Sequence, residues 1–387
     1  MPSLLFRTES ARASKALASA RAARVFASAA FVLIVLNAHA TFAAAAPVGF
    51  TQTSVPGNTA SRGNASGRLN VVVWYPASAG TQVGPIVVGP PNAPFFVEGE
   101  GAPGAPLAAS PARLPFIVVS HGTGGTAMDI SWLCAGLAAH GYLVASVDHP
   151  GNNALEAPTV AGATLWWLRA DDLSHVIDGV LADPTYGPRI DRARIGAAGF
   201  SLGGYTVLVI AGARANPVLI DPYCARKPTT PLCTNEATPT VPDITARSKA
   251  LAASDADYRA LLAANAQSHR DARVRAVFSI APALGPAIIP ESLGSIQIPV
   301  ALVAGFGDPI LPVEDNVIPD ALAIPNAELT LLPKPTGHYT FLTDCTPAGS
   351  ARFAPICTDA GPSRVAVHRT TAALATAFFD RTLGAIR

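Results

Sequence analysis

The chain has 387 residues, of which 50% are hydrophobic and 14% are charged, and its formal net charge is +1. This length and composition allow a large buried core and exclude a disordered protein. Near-neutral charge without a dense cluster of lysine and arginine argues against nucleic acid as a partner.

The first 46 residues have the pattern of a targeting segment. Five basic residues precede the uncharged stretch VFASAAFVLIVLNAHATFAAAAP. Small residues typical of a signal-peptidase site follow, at Ala38 to Ala40 or just before Pro47. We therefore expect a cleaved signal peptide over 1–46, export to the periplasm or the extracellular space, and a folded domain over 47–387. A membrane anchor formed by an uncleaved segment is the alternative.

Four of the five cysteines form two close pairs, Cys224 with Cys233 and Cys345 with Cys357. Disulfides that close such short loops contribute roughly 3 kcal/mol each by loop-entropy arguments, and they form in oxidising compartments, which agrees with export. Metal ligation is the alternative, although neither spacing is Cys-x-x-Cys and no histidine lies in either loop. We expect no metal, and we expect Cys134 to be a buried thiol.

Apolar, β-branched runs alternate with helical patterns along most of the chain. Strands are predicted, in chain order, in GRLNVVVWYPA, LPFIVVSHG, YLVASVDHPG, RIGAAGF, VRAVFSIAP, PVALVAGFGD and AELTLLP. Helices are predicted in DISWLCAGLAAHG, DDLSHVIDGVLAD, LGGYTVLVIAGAR and SRVAVHRTTAALATAFFDRTL. The alternation predicts an α/β fold with a mainly parallel central sheet flanked by helices. It breaks at about 214–271, where we expect a lid-like insertion, partly helical, over the top of the sheet.

Ser201, in RIGAAGFSLGGY, lies between a predicted strand and a predicted helix and is flanked by Gly199 and Gly203. A Gly-x-Ser-x-Gly sequence in this context is typical of a nucleophile elbow, a tight turn that presents a serine to substrate. A serine that only caps the helix is the alternative. Because a serine hydroxyl is a weak nucleophile at its normal pKa, a base must accept its proton.

Three histidines follow Ser201. His269 is expected in the helix of the insertion and His368 on the surface of the last helix, whereas His338 follows a strand at its carboxyl end. Ligands bind at that edge of an open parallel sheet, so His338 is the candidate base.

The candidate acid is Asp308, which ends the strand before the one leading to His338. Such an acid orients the imidazole and stabilises its charged form. Asp315 and Asp320 are the alternatives, each expected to be a solvated loop carboxylate.

Two backbone N–H groups are the candidate oxyanion donors: that of Leu202, directly after Ser201, and that of Thr123 in the loop SHGTGGT. His121 in this loop is expected to brace it. His149 follows a strand near the site and either contacts substrate or caps a turn. Trp166 either lines a substrate groove or belongs to the core.

The ordered set WYPA, SHGTGG, VDHPGN, GFSLGG, AGFGD and GHYTFL resembles the α/β-hydrolase superfamily. More narrowly it resembles a secreted group of predicted dienelactone hydrolases that is similar to platelet-activating-factor acetylhydrolases. The resemblance implies a catalytic triad of Ser201, Asp308 and His338, with Thr123 and Leu202 at the oxyanion. Dienelactone hydrolases proper use a cysteine nucleophile, so that name does not indicate the substrate here.

The function we expect is that of a serine hydrolase that cleaves carboxylic esters through an acyl-enzyme intermediate, without a metal or an organic cofactor. Its substrate would be a small-molecule or lipid ester, with contact to a membrane or lipid surface as an open alternative. Hydrolysis of amides or peptides by the same residues is a second alternative, and a non-catalytic binding module on this fold is a third. The sequence does not indicate an oligomeric state.

Overall fold

The computed structural model of the chain describes residues 46–234, 241–359 and 361–385. The predicted targeting segment, 1–46, lies outside the described residues except for Ala46. Within those ranges no helix combines the length and the hydropathy that are needed to cross a membrane.

The strands are, in chain order, β1 (Val48–Pro56), β2 (Arg68–Pro76), β3 (Gly84–Val88), β4 (Phe96–Pro103), β5 (Leu114–Ser120), β6 (Leu143–Val147), β7 (Ile190–Phe200), β8 (Val274–Ile280), β9 (Val300–Gly305), β10 (Glu328–Leu332) and β11 (Asp344–Cys345).

The α-helices are α1 (Ser131–Ala139), α2 (Val160–Thr164), α3 (Leu168–Ala182), α4 (Leu202–Ala211), α5 (Ile220–Arg226), α6 (Pro231–Thr234), α7 (Ile244–Ser254), α8 (Ala256–Ala263), α9 (Pro290–Leu293), α10 (Val317–Ala323), α11 (Pro347–Arg352), α12 (Ala354–Cys357) and α13 (Arg364–Leu383). Single 3₁₀ turns lie at Ala60–Arg62, Gly187–Arg189, Pro217–Leu219, Gly285–Ala287 and Tyr339–Phe341.

One sheet has the strand order β10-β9-β8-β7-β5-β6-β2-β1-β4-β11, and β3 pairs with β4 beside it. The six strands from β10 to β6 are parallel, and β2 and β1 then continue the sheet in antiparallel pairing. The predicted α/β fold with a mainly parallel sheet and flanking helices is therefore confirmed.

Every residue of β5 and of β6 is buried, as expected for strands that are covered on both faces. Helix α1 packs against α13, and α3 packs against α4, so that two helix pairs cover the sheet. Because β5, β6, β7, β8, β9 and β10 all run in the same direction, their carboxyl ends meet at one edge.

The region expected as an insertion, about 214–271, contains α5, α6, α7 and α8 within its described residues. The second half, expected as one helical run, is two helices, because Asp255 interrupts it and caps α8 by accepting a hydrogen bond from the N–H of Tyr258 at 2.9 Å. His269 lies after the end of α8, so its predicted place inside a helix is wrong. That this region acts as a lid stays a proposal.

Candidate active site

Ser201 lies on a sharp turn between β7 and α4, with φ 57° and ψ −119°. Positive φ in a residue other than glycine is strained, and such strain is concentrated at functional sites. A Cβ at Gly199 would overlap the carbonyl oxygen of Gly203, and a Cβ at Gly203 would overlap that of Ser120. The close backbone approach thus explains both glycines of the motif.

The structure brings Ser201, His338 and Asp308 together in one hydrogen-bonded chain. The Oγ of Ser201 is 3.0 Å from Nε2 of His338, and Nδ1 of His338 is 2.7 Å from Oδ2 of Asp308. All three side chains are buried or nearly so. When Nδ1–H donates to Asp308, Nε2 is left to accept the serine proton.

The acid is itself held in place by the backbone. Oδ1 of Asp308 accepts hydrogen bonds from the N–H groups of Ile310 at 2.9 Å and Leu311 at 2.8 Å. The Phe200 ring packs beside the imidazole of His338, with the ring centroids 4.8 Å apart. Both contacts restrict how the acid and the base can turn.

Thr123 and Leu202, the residues of the two candidate oxyanion donors, line the same cavity as Ser201. Leu202 is the first residue of α4, where backbone N–H groups have no partner inside the helix. The loop with Thr123 passes close to Ser201: a Cβ atom placed on Gly122 would lie 3.3 Å from the Cβ of Ser201. Their role as donors stays a prediction.

The cavity above Ser201 has a volume of about 330 Å³, and its lining is mostly apolar. Trp166 lines it, whereas its neighbour Trp167 is fully buried in the core. The main apolar lining residues are Trp166, Leu232, Leu284, Ile310, Leu311, Leu342, Phe353 and Ile356.

The substrate contact considered for His149 is wrong, because this residue does not line the cavity and is fully buried. Its Nε2 is 2.8 Å from Oγ of Ser120, and its Nδ1 is 2.8 Å from Oδ2 of Asp172. This second Ser–His–Asp arrangement was not predicted from the sequence. Because none of its members reaches the cavity, it supports the loop rather than contacting substrate.

Two buried arginines complete a polar network behind the loop that contains Thr123. Arg62 forms a bidentate ion pair with Asp172, with Nη1 2.6 Å from Oδ2 and Nη2 2.5 Å from Oδ1. Arg169 donates to the carbonyl oxygen of His121. Burial would raise the pKa of Asp172, but Arg62 and the hydrogen bond from His149 outweigh it and lower that pKa to about 2. The network therefore holds an ionised carboxylate.

Both histidines of the network are neutral. Burial, together with the charge of Arg169, lowers the pKa of His149 to about 3 and that of His121 well below its usual value. His121 accepts a hydrogen bond from the N–H of His149 at 3.1 Å, and its Nδ1 lies 2.6 Å from the carbonyl oxygen of Gly122. It thus contacts the loop in the way expected of a brace.

Two other expectations need correction. His368 is buried rather than on the surface, with Nε2 2.9 Å from the carbonyl oxygen of Thr340 and its ring stacked on Trp132. Asp320 is not a solvated loop residue, because it lies buried in α10 and burial raises its pKa to about 7. Asp315 instead pairs with Lys227.

Two disulfides, Cys224–Cys233 and Cys345–Cys357, are present, and Cys134 is a buried free thiol. Each bridge closes a loop that contributes to the cavity wall: Leu232 lies in the first loop, and Phe353 and Ile356 lie in the second. In the part of the chain that the structure describes, no cluster of three or more His, Cys, Asp or Glu side chains could hold a metal ion.

Comparisons with known proteins agree with this architecture. Residues 100–162, which include the loop that contains Thr123, match the family model of platelet-activating factor acetylhydrolase, isoform II. No curated protein matches the sequence. Among solved structures, a ferulic acid esterase from Streptomyces cinnamoneus is similar, with a TM-score of 0.53 and 20% identity over 87% of this chain and 90% of that chain. The chain therefore has a fold similar to that of this esterase, and over residues 100–162 it is similar to the platelet-activating factor acetylhydrolase family.

Proposed function

We propose that this protein is a serine hydrolase that cleaves carboxylic esters through an acyl-enzyme intermediate. The observation that carries the proposal is the hydrogen-bonded chain of Ser201, His338 and Asp308 at the floor of an apolar cavity. The match to an acetylhydrolase family model and the structural similarity to a ferulic acid esterase support an ester as the bond that is cleaved.

In the first half-reaction His338 accepts the proton of Ser201 while the serine oxygen attacks the ester carbonyl carbon. The carbonyl oxygen becomes an oxyanion, which the backbone N–H groups of Leu202 and Thr123 stabilise. His338 then gives its proton to the departing alcohol, and the acyl group stays on the serine.

In the second half-reaction a water molecule replaces the alcohol. His338 accepts a proton from this water while the water oxygen attacks the acyl carbon. The bond between the acyl carbon and the Ser201 oxygen then breaks, His338 returns the proton to that oxygen, and the carboxylic acid is released. Asp308 keeps the imidazole in the tautomer that accepts at Nε2 and stabilises its charged form. These steps require neither a metal nor an organic cofactor.

The cavity suits a small ester with an apolar acyl or alcohol part. Its volume of about 330 Å³ is at the lower end of what small-molecule sites have. Trp166 forms part of its apolar wall, and the region 214–271 adds Tyr223, Thr230 and Leu232. We therefore propose that Trp166 contacts substrate. We also propose that the region 214–271 acts as a lid and is the part of the protein that would contact a lipid surface.

Export is part of the proposal. Disulfides persist in oxidising compartments and are rare in the cytosol, so the two bridges support a periplasmic or extracellular location. The sequence pattern of residues 1–46 supports the same location through a signal peptide.

The test is hydrolysis of p-nitrophenyl esters with acyl chains of two to twelve carbons by the purified protein and by Ser201→Ala. We expect Ser201→Ala to lower kcat by at least about 10⁴-fold, because the nucleophile is lost. Ser131→Ala is the matched control: Ser131 is fully buried and its hydroxyl has no partner among the described residues.

Two outcomes would contradict the proposal. The first is a wild-type protein that neither hydrolyses the esters nor is labelled at Ser201 by a fluorophosphonate. The second is a wild-type protein that cleaves a p-nitroanilide faster than the ester with the same acyl group, which would favour the amidase alternative.

A further inference from the structure

Arg169, on α3, is 1% exposed and directs its guanidinium at four acceptors on three different segments. It donates to the carbonyl oxygen of His121, to Oγ of Ser120 at 3.3 Å, to Oδ1 of Asn152 at 3.1 Å and to Oγ1 of Thr206 at 3.2 Å. Although burial lowers the pKa of Arg169 to about 9, the group stays charged at neutral pH. The proposed reaction does not use this residue directly.

On one side Arg169 holds the loop that contains Thr123. It binds the peptide carbonyl of His121, and Oδ1 of Asn152, to which it donates, also accepts the N–H of Gly124 at 3.2 Å. The loop is thus held on both sides of the peptide unit that joins Gly122 to Thr123.

That peptide unit determines where the Thr123 N–H points. Its carbonyl oxygen, on Gly122, lies 2.6 Å from Nδ1 of His121. In a planar trans peptide the C=O and N–H bonds point in opposite directions, so directing the oxygen towards His121 directs the N–H away from it. Arg169 holds the backbone of His121, and so it also holds the imidazole that contacts the carbonyl oxygen of Gly122.

On the other side Arg169 holds the first turn of α4. The hydroxyl of Thr206 accepts from Nε of Arg169 and donates to the carbonyl oxygen of Leu202 at 2.8 Å. Leu202 carries the second candidate oxyanion donor. One rigid guanidinium therefore connects the elements that carry both donors.

We propose that Arg169 is a positioning residue that keeps the N–H groups of Thr123 and Leu202 at the separation which an oxyanion requires. This inference rests on the proposed function. A guanidinium presents five N–H donors from three nitrogens in a rigid plane, whereas a lysine has three donors on one nitrogen, too few for the four acceptors of Arg169.

The expected effect is on kcat and not on KM. The oxyanion exists only in the transition state and the intermediate, so donors that are misplaced weaken binding of those species and leave ground-state substrate binding unchanged. A displacement of these N–H groups by up to about 1 Å is enough to lower kcat by about 10- to 100-fold.

The test compares Arg169→Lys, Thr206→Val and Thr206→Ser in the full chain, with kcat expressed per active site titrated with a fluorophosphonate. We expect kcat to fall by about 10- to 100-fold in Arg169→Lys and by about 3- to 10-fold in Thr206→Val, with KM within about twofold of wild type. Thr206→Ser keeps the hydroxyl and should restore kcat.

A boronic acid that forms a tetrahedral adduct with the serine provides the second readout. Its affinity should fall by the same factor as kcat. Thr371→Val is the matched control, since Thr371 is also a fully buried helical threonine but lies on α13, and its hydroxyl has no hydrogen-bond partner among the described residues. A purely structural role would lower the melting temperature and leave kcat per titrated site unchanged.

Unchanged kcat in both Arg169→Lys and Thr206→Val would overturn the inference, as would a rise in KM at constant kcat. If Arg169→Lys does not fold, the Thr206→Val and Thr206→Ser pair decides alone. An inactive wild-type protein would instead remove the proposed function, so the two failures are distinguishable.

Discussion

Two sides of the cavity are stabilised by different kinds of interaction. Behind the loop that contains Thr123 lies a buried polar network that includes Arg62, Asp172, His149 and Arg169. The facing walls contain two loops that are closed by disulfides and contribute apolar side chains. In the proposed reaction, the first side must orient backbone donors towards a developing charge. The second side must have a shape that accommodates a substrate chain.

The difference also concerns how each side contributes to stability. In a buried network each polar group depends on its partners, so removal of one member leaves another uncompensated in a low dielectric. A disulfide acts mainly by restricting the unfolded chain, so its removal leaves the fold in place and frees only the loop that it closes. The first side should therefore be intolerant of substitution and the second side adaptable.

The largest effect is expected for Asp172→Asn. The change leaves the charge of Arg62 buried and uncompensated, so we expect the free energy of unfolding to fall by about 3 to 5 kcal/mol. Urea denaturation measures it. Asp178→Asn on the same helix removes an exposed ion pair with Arg273 and should cost less than about 1 kcal/mol. If the two variants lost equal amounts of unfolding free energy, the buried network would be no more important for stability than an exposed ion pair, and the prediction would be contradicted.

An intermediate effect is expected when Cys224 and Cys233 are both replaced by serine. Loop-entropy arguments give a loss of roughly 3 kcal/mol in the free energy of unfolding. Because the loop contributes Leu232 to the cavity wall, kcat/KM for long acyl chains should fall by about tenfold, whereas the two-carbon ester should be hydrolysed almost unchanged. Cys134→Ala tests whether cysteine loss alone matters. A uniform fall across all chain lengths would show that this wall also positions the catalytic residues.

The smallest effect is a pH dependence at the edge of the network. Burial raises the pKa of Asp148 to about 6, although its carboxylate accepts the N–H of Ala127 at 2.7 Å. A raised carboxyl pKa favours the folded state at low pH, and this contribution is lost as the pH rises through about 6. Asp148→Asn cannot ionise, so its stability relative to wild type should increase by about 2 kcal/mol between pH 4 and pH 8. If the difference in unfolding free energy between Asp148→Asn and wild type were the same at pH 4 and pH 8, the prediction would be refuted.

The positions of Ser201, His338 and Asp308 could be predicted because each depends on local patterns and on strand order. A serine between glycines after a buried strand indicates the elbow, and the carboxyl ends of parallel strands meet at one edge. The roles of these residues stay predictions until the esterase assay is made. The two cysteine pairs were also local enough to predict, being separated by 9 and 12 residues.

The network could not be predicted, because its members are far apart in the sequence. Arg62 and Asp172 are 110 residues apart, and no motif in the sequence marks either of them. In RADDLSHV, nothing local distinguishes Asp172, which is fully buried, from Asp171, which is half-exposed. His149 and His368 were misjudged for the same reason: burial of a polar side chain depends on partners that only the folded chain provides.

The sequence by itself determined the alternation of strands and helices, the tight turn at Ser201 and the chain order of its candidate partners. These follow from side-chain periodicity and from the backbone freedom of glycine, which are properties of neighbouring residues. The tertiary structure decided which charges are buried, which histidines are neutral and which loops form the cavity. Those features depend on contacts between distant segments, where the balance between desolvation and pairing is set.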